Sequence, residues 1–431
     1  MKFTSLLCHT ILLFVHTCFA GKTQQQSKNN ETVVEINHKC IKSEYIIKTS
    51  GELAAISSCS ILSGSVCIEN FNSDTLYLGQ IQEIHGDLIV KNSSQIIKME
   101  APDLSFVEGK LELNTLNSLT YISFPKLETV DALQWEVLPI LTFVDLEAGI
   151  KNINSVTMAD TSLTGFGGLN TETLRTLNIN NNRFLEKIES TVSKITGDLL
   201  IAANADNVHV SLPNLTTVTT LTIKDTESIN MENLQVVGKS ADFSHNSFQK
   251  LDLSHLRSLG DTLSIIKNKN LNEVKLEKLT EVSGGLIIID NHDLNNLDFF
   301  ISLKSVGGAT EFQGDIQSNH FSKLKVIKGS AILKSSNKGF DCADWMKNEV
   351  GKVVRGGKVE CGSGKSNTTE ILLVDEDGKS VQGGTVINDN KETGSRSGFT
   401  KQKSGATTSK LSRKMTTLIS IYIIGFLIQL I

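Results

Sequence analysis

The sequence predicts an all-β-rich repeat solenoid, a right-handed parallel β-helix with leucine-rich-repeat character and disulfide-capped ends. Three observations carry that prediction. A short sentence, a glycine turn followed by an alternating apolar strand, recurs along the chain: HGDLIVKN at His85–Asn92, TGDLLIAAN at Thr196–Asn204, SGGLIIID at Ser283–Asp290. Aligned two residues before the first inward side chain, the copies are anchored at Gly64, Gly86, Gly109, Asp131, Asn154, Arg175, Gly197, Thr219, Lys239, Asp261, Gly284, Gly308 and Gly329, 20 to 24 residues apart. A fixed period in that range marks a solenoid. Finally, the cysteines beyond residue 20 sit only at the two ends of the array, where terminal repeats lack a neighbour and need capping.

The chain begins with Lys2 and an apolar run, Leu6 to Phe19, that ends in Cys18-Phe19-Ala20. That is the layout of a secretory signal peptide, residues 1–20, cleaved after Ala20. Residues 21–39 are polar and read as a flexible lead. Residues 40–361 form the solenoid of about thirteen rungs. Cys40 to Ser58 is its cap, with a short helix starting near Ser50, and the first rung runs from Ser63 to Ile68.

In each rung the inward residues are anchor +2 and anchor +4, as in Leu88 and Val90, Leu199 and Ile201, or Leu263 and Ile265. Alternation of this kind is a half-buried strand. Before the next strand comes an apolar-x-x-Leu-x-x-apolar segment such as Phe124 to Val130, expected as a second wall. Thirteen strands at the usual spacing give a stack about 60 Å long. Rungs 131 to 175 keep the spacing and lose the glycine, as a junction between lobes or as drift. Asparagine stands five residues after the first inward position at Asn182, Asn204, Asn246, Asn268 and Asn291. Buried amides need partners, and stacked copies can supply them, so these five are expected to form a structural ladder.

Beyond residue 20 the cysteines are Cys40, Cys59, Cys67, Cys342 and Cys361. In a secreted chain they read as disulfides, paired Cys40 with Cys59 and Cys342 with Cys361, leaving Cys67 over. Sequence does not fix the pairing, and Cys40–Cys67 competes. Residues 362–404 are rich in Gly, Ser, Thr and Lys and read as a disordered stalk with one apolar island, Ile371 to Val374. At the end come a small triplet, Ser404-Gly405-Ala406, a polar spacer and the apolar run Met415 to Ile431. These are the three parts of a GPI-attachment signal, with Ser404 the expected attachment residue, Gly405 the alternative, and 405–431 the propeptide; an uncleaved tail anchor is the competing reading. Acceptor sequons stand at Asn30, Asn92, Asn214 and Asn367.

Lys and Arg number 42 against 47 Asp and Glu, a net charge of −5, and no basic run follows a phosphate backbone. That argues against nucleic acid as a partner. There is no GxSxG elbow and no CxxC or HxxxH to hold zinc. Glycosidases need only two carboxylates, so Asp261, Asp290, Asp293 and Asp315 are the candidates to check; at turns, Asp ordinarily bonds backbone. The expectation is a non-enzyme with no catalytic, cofactor or metal residue.

The opening, Cys40 followed by Ser57 to Val66, resembles a receptor L-domain, the ligand-binding solenoid of insulin-type receptors. The full layout, with Phe340-Asp341-Cys342, Cys361 and the apolar tail, resembles the fungal GPI-anchored cell-wall-organisation proteins, which include sporulation-specific, spore-wall members. The resemblance covers roughly Cys40 to Ile431. It implies a surface glycoprotein on the outer face of the plasma membrane, or transferred from there to the wall, that builds cell or spore wall by binding or scaffolding wall polysaccharide or glycoprotein. A glycan-active enzyme on a β-helix and a receptor-like ectodomain are the alternatives.

Overall fold

The computed structural model describes residues 38–365 and 368–387. The leader, nearly all of the lead, Asn30, Asn367, Ser404, Gly405 and the tail lie outside the described residues.

The array is built from strands stacked in parallel columns. The long column holds all thirteen expected strands. Its register joins Val66 to Leu88, Leu111, Leu133, Val156, Leu177, Leu199, Leu221, Ala241, Leu263, Leu286, Thr310 and Ala331, which is anchor +2 at every step. Anchor +4 follows the same register, and both positions are buried throughout. A one-residue slip would turn every such side chain to solvent, so the inward pairs fix the coil.

The expected second wall resolves into two columns. One is a column just before the bend, running from Glu83–His85 to Val326–Ile327, in which some turns have separate strands of two or three residues and others, such as Phe106–Asn114, continue through the bend into the long column. The other is a third column, split into three sheets. Its first sheet holds Thr75–Tyr77, Lys98–Glu100, Tyr121–Ser123 and Phe143–Asp145; its second begins at Gly165–Phe166. The break falls within the irregular rungs 131 to 175.

Two local devices shape each turn. At the bend into the long column, successive turns approach so closely that a Cβ on Gly86 would lie 2.6 Å from the Gly64 carbonyl carbon; only glycine fits there. At the far end of the long strand, eleven non-glycine residues among those described hold a left-handed φ, among them Asn92, Val137, Asn181, His245, Lys267 and Asp290. That kink turns the following residue inward.

At the N-terminal end, Ser50–Ile56 is a helix. Thr49 and Glu52 form a reciprocal capping box, and Leu53 and Ile56 are buried. The strand Ile41–Ile47, not anticipated, pairs with Ile61–Glu69 ahead of the expected first rung. At the other end Gly357–Gly362 stacks on Ala331–Ser335. The expected stalk then needs correction. Thr368–Val374 and Ser380–Ile387 form an antiparallel hairpin on that last strand. The apolar island Ile371 to Val374 is its inner strand, and pairing there covers an otherwise open sheet edge.

Candidate functional site

The asparagines occupy the place that the left-handed kink turns inward, and all five are buried. The Asn268 side chain donates to Asn291 Oδ1 (3.0 Å) and to Phe243 O (2.9 Å), and its own Oδ1 accepts from the backbone and the amide of Asn246 (3.0 and 2.9 Å). Asn182 donates in the same way to Asn204 Oδ1 (3.0 Å). The ladder is two runs rather than one. Thr226 stands between Asn204 and Asn246 and donates its hydroxyl to Lys224 O (3.1 Å), so it offers Asn204 no amide oxygen. Thr161 starts the first run, accepting nothing from it and donating both N–H and hydroxyl to Asn182 Oδ1. Neither threonine was foreseen; both stand five residues after an inward position, where the asparagine pattern pointed. The side-chain amides are directed into the turn backbone or the next amide, with one Nδ2–H of Asn204 and of Asn291 left over where each run ends, so these residues serve the coil.

The ends are tied by Cys40–Cys59 and Cys342–Cys361, and Cys67 is free. Cys67 points outward from the long column, and burial pushes its thiol up. Asn92 and Asn214 are both exposed, as glycan acceptors must be.

The outward positions of the long column stand in register on one face. Its centre is mostly uncharged: Ser155, Thr157, Thr176, Asn178, Thr220 and Thr222 stand in register on four turns, with Asp198 and Leu200 among them. Three carboxylates towards the ends are matched by lysines: Glu112 with Lys110 (2.6 Å), Asp242 with Lys224 (3.4 Å), Glu360 with Lys358 (2.5 Å). The hydrogen bond that Lys110 donates to Glu112 raises its ammonium above its ordinary value.

Asp290 and Asp315 line an open groove of 910 Å³ where the ladder ends, with His292, Gln313 and Lys334. Each is held by an amide from the next turn: Gln313 Nε2 donates to Asp290 (3.2 Å) and Asn337 Nδ2 to Asp315 (3.1 Å). Asp293 pairs with His292 (2.6 Å), which raises the imidazole above its ordinary value. Asp261 accepts from Ser240 a turn earlier. Each acid is thus bonded to a neutral or cationic neighbour. Among the described residues no group of three or more His, Cys, Asp or Glu could hold a metal ion.

No family model matches the chain. Curated proteins do. It is 37% identical to sporulation-specific protein 22 of Saccharomyces cerevisiae over 84% of this chain and 81% of that one. It is 35% identical to sporulation-specific protein 2 of the same organism over 95% and 82%. The cell surface GPI-anchored protein ECM33 of Candida albicans is 26% identical over 75% and 78%.

Proposed function

This chain belongs to the fungal family of sporulation-specific and ECM33-type cell-wall proteins, and from that premise we propose that it organises the wall without catalysis, by binding or scaffolding wall components. Its role is in the cell wall, as an extracellular, GPI-anchored glycoprotein. We place the lipid on Ser404, with Gly405 as the alternative, and N-glycans on the exposed Asn92 and Asn214, with Asn30 and Asn367 as further acceptors. The two sporulation-specific relatives exceed the ECM33-type ones in identity, which favours the spore wall.

The observation that supports the non-catalytic reading is that each candidate acid, although Asp290 and Asp315 share one groove, is already engaged by a neighbouring side chain. Hydrolysis of a glycosidic bond needs two carboxyl groups facing one bond, one of them protonated. Here Asp290, Asp293 and Asp315 each engage an amide or an imidazole. A long, in-register face suits a polymer laid along it.

The test is deletion of the gene, with wall-stressing dyes on growing cells and ether or lytic-enzyme resistance on spores, and complementation by an Asp290→Asn, Asp293→Asn, Asp315→Asn variant. Full rescue is expected. A variant that reaches the surface and fails to rescue favours a glycan-active enzyme.

A further inference from the structure

The break in the third column opens a cleft. In its first sheet the outward positions form a ladder, Thr75, Lys98, Tyr121, Phe143. Lys98 Nζ lies 5.9 Å from the Tyr121 ring centre, and the Tyr121 and Phe143 rings stack at 4.9 Å, parallel within 1°. One turn further, 22 residues on, the corresponding residue is Gly165. Tyr121 therefore covers one face of Phe143, and a residue without a side chain follows the other; Phe143 stays 49% exposed.

The floor is open too. Leu76, Met99 and Ile122 are fully buried at the inward place of their strands, whereas Val144 at the same place, and Leu146 beyond it, are only partly buried. Both line the cleft, 300 Å³ in volume, with Phe143, Asp145, Glu147 and the glycine-rich segment 165–168. The core is thus thinly covered here, as it is again at Ile229, but here it lies between an open aromatic face and two carboxylates. The volume sits at the lower end of small-ligand sites, room for a sugar unit or two rather than for a protein element.

We propose that this cleft binds a glucosyl unit of a β-linked glucan chain. The proposal rests on wall polysaccharide being the ligand class. In a β-glucosyl ring every ring substituent is equatorial, so both faces carry only axial C–H groups. Such a face packs flat on the π-face of Phe143. The equatorial hydroxyls then project in the ring plane, where the Asp145 and Glu147 carboxylates and the backbone of Gly165 to Gly168 can accept or donate hydrogen bonds. A mannosyl ring carries an axial hydroxyl that interrupts one face. The cleft opens to solvent, so a chain can enter through an internal unit. Ser123 Oγ donates to Asp145 Oδ2 (2.9 Å) and fixes that carboxylate.

The test is calorimetric titration of the full chain with cello- and laminari-oligosaccharides, with α-manno-oligosaccharides in parallel. Two variants probe the cleft. Phe143→Ala removes the platform. Gly165→Leu fills it, and the fold accommodates this: a Cβ there meets nothing nearer than Lys187 O at 3.8 Å. Each variant is expected to weaken gluco-oligosaccharide binding by about tenfold or more, the loss of about 1.4 kcal/mol. Unchanged affinity in both variants overturns the cleft and leaves wall-glycan binding intact. A preference for manno-oligosaccharides overturns the glucan assignment. No binding of any oligosaccharide, nor of isolated wall polysaccharide, overturns the ligand class itself.

Discussion

Replacing Asn268 by alanine tests what holds the coil together. The side chain is fully buried and takes part in four hydrogen bonds: two accepted from Asn246, one donated to Phe243 O and one to Asn291 Oδ1. Alanine removes all four. The Asn246 N–H loses its acceptor in a dry interior, at a cost of about 1–3 kcal/mol, and the lost side-chain bonds add about 1 kcal/mol each where no substitute partner exists. Asn246 Nδ2 keeps Ile223 O and Asn291 Oδ1 keeps the Asn268 N–H, so the total is smaller than the sum, about 3–4 kcal/mol. Because each turn touches only its neighbours, the loss concentrates around residues 243–291. Denaturant titration gives the size, and amide hydrogen exchange gives the place. Asn272→Ala, at an exposed position, is the control and should stay within about 0.5 kcal/mol of wild type. A cost for Asn268→Ala no larger than the control's would refute the structural role of the ladder.

Joining the two amide runs with Thr226→Asn supplies Asn204 with the acceptor it lacks and should stabilise the chain by about 1 kcal/mol, read as a higher denaturation midpoint. Breaking Cys342–Cys361 with paired serines opens a link across 19 residues and should cost about 3 kcal/mol in the same titration, with fraying confined to the C-terminal end. Gly86→Ala pushes a methyl against the Gly64 backbone and should destabilise by about 1–3 kcal/mol. His292 is raised above 6.5 by its hydrogen bond to Asp293. Its stabilising pair is therefore fully present below pH 6.5 and is lost as pH rises through the higher folded value. Asp293→Asn should return the imidazole towards 6.5 in an NMR titration.

Much of the coil was legible because its register is written in pairs of inward side chains. Leu88 with Val90 and Leu263 with Ile265 repeat at anchor +2 and +4, and their spacing survives where the glycine is lost, at Asp131 and Asn154. The asparagines were legible because their offset from those pairs is constant. The third column was not. Its strands are two or three residues long with one inward side chain each, such as Met99 in Lys98–Glu100, too short to alternate. The kink was hidden because Asn, Thr, Val, Asp, Ala, His and Lys all occupy it; the stacked turns, not the residue type, impose the left-handed φ. Ile41–Ile47 was missed because four of its seven residues in a row face solvent. The terminal hairpin was hidden by Gly- and Lys-rich composition, which read as stalk. Within the candidate site, Thr226 and the half-buried Val144 carried no sequence signal apart from their place in the period.

The most direct test of a wall-binding role without catalysis is to incubate the full chain with isolated wall polysaccharide and follow both retention on the solid and release of reducing ends. Retention that persists over hours with no new reducing ends, and is equal for the Asp290→Asn, Asp293→Asn, Asp315→Asn variant, is the expected result. Reducing ends that accumulate with the wild-type chain and vanish with the variant would contradict it.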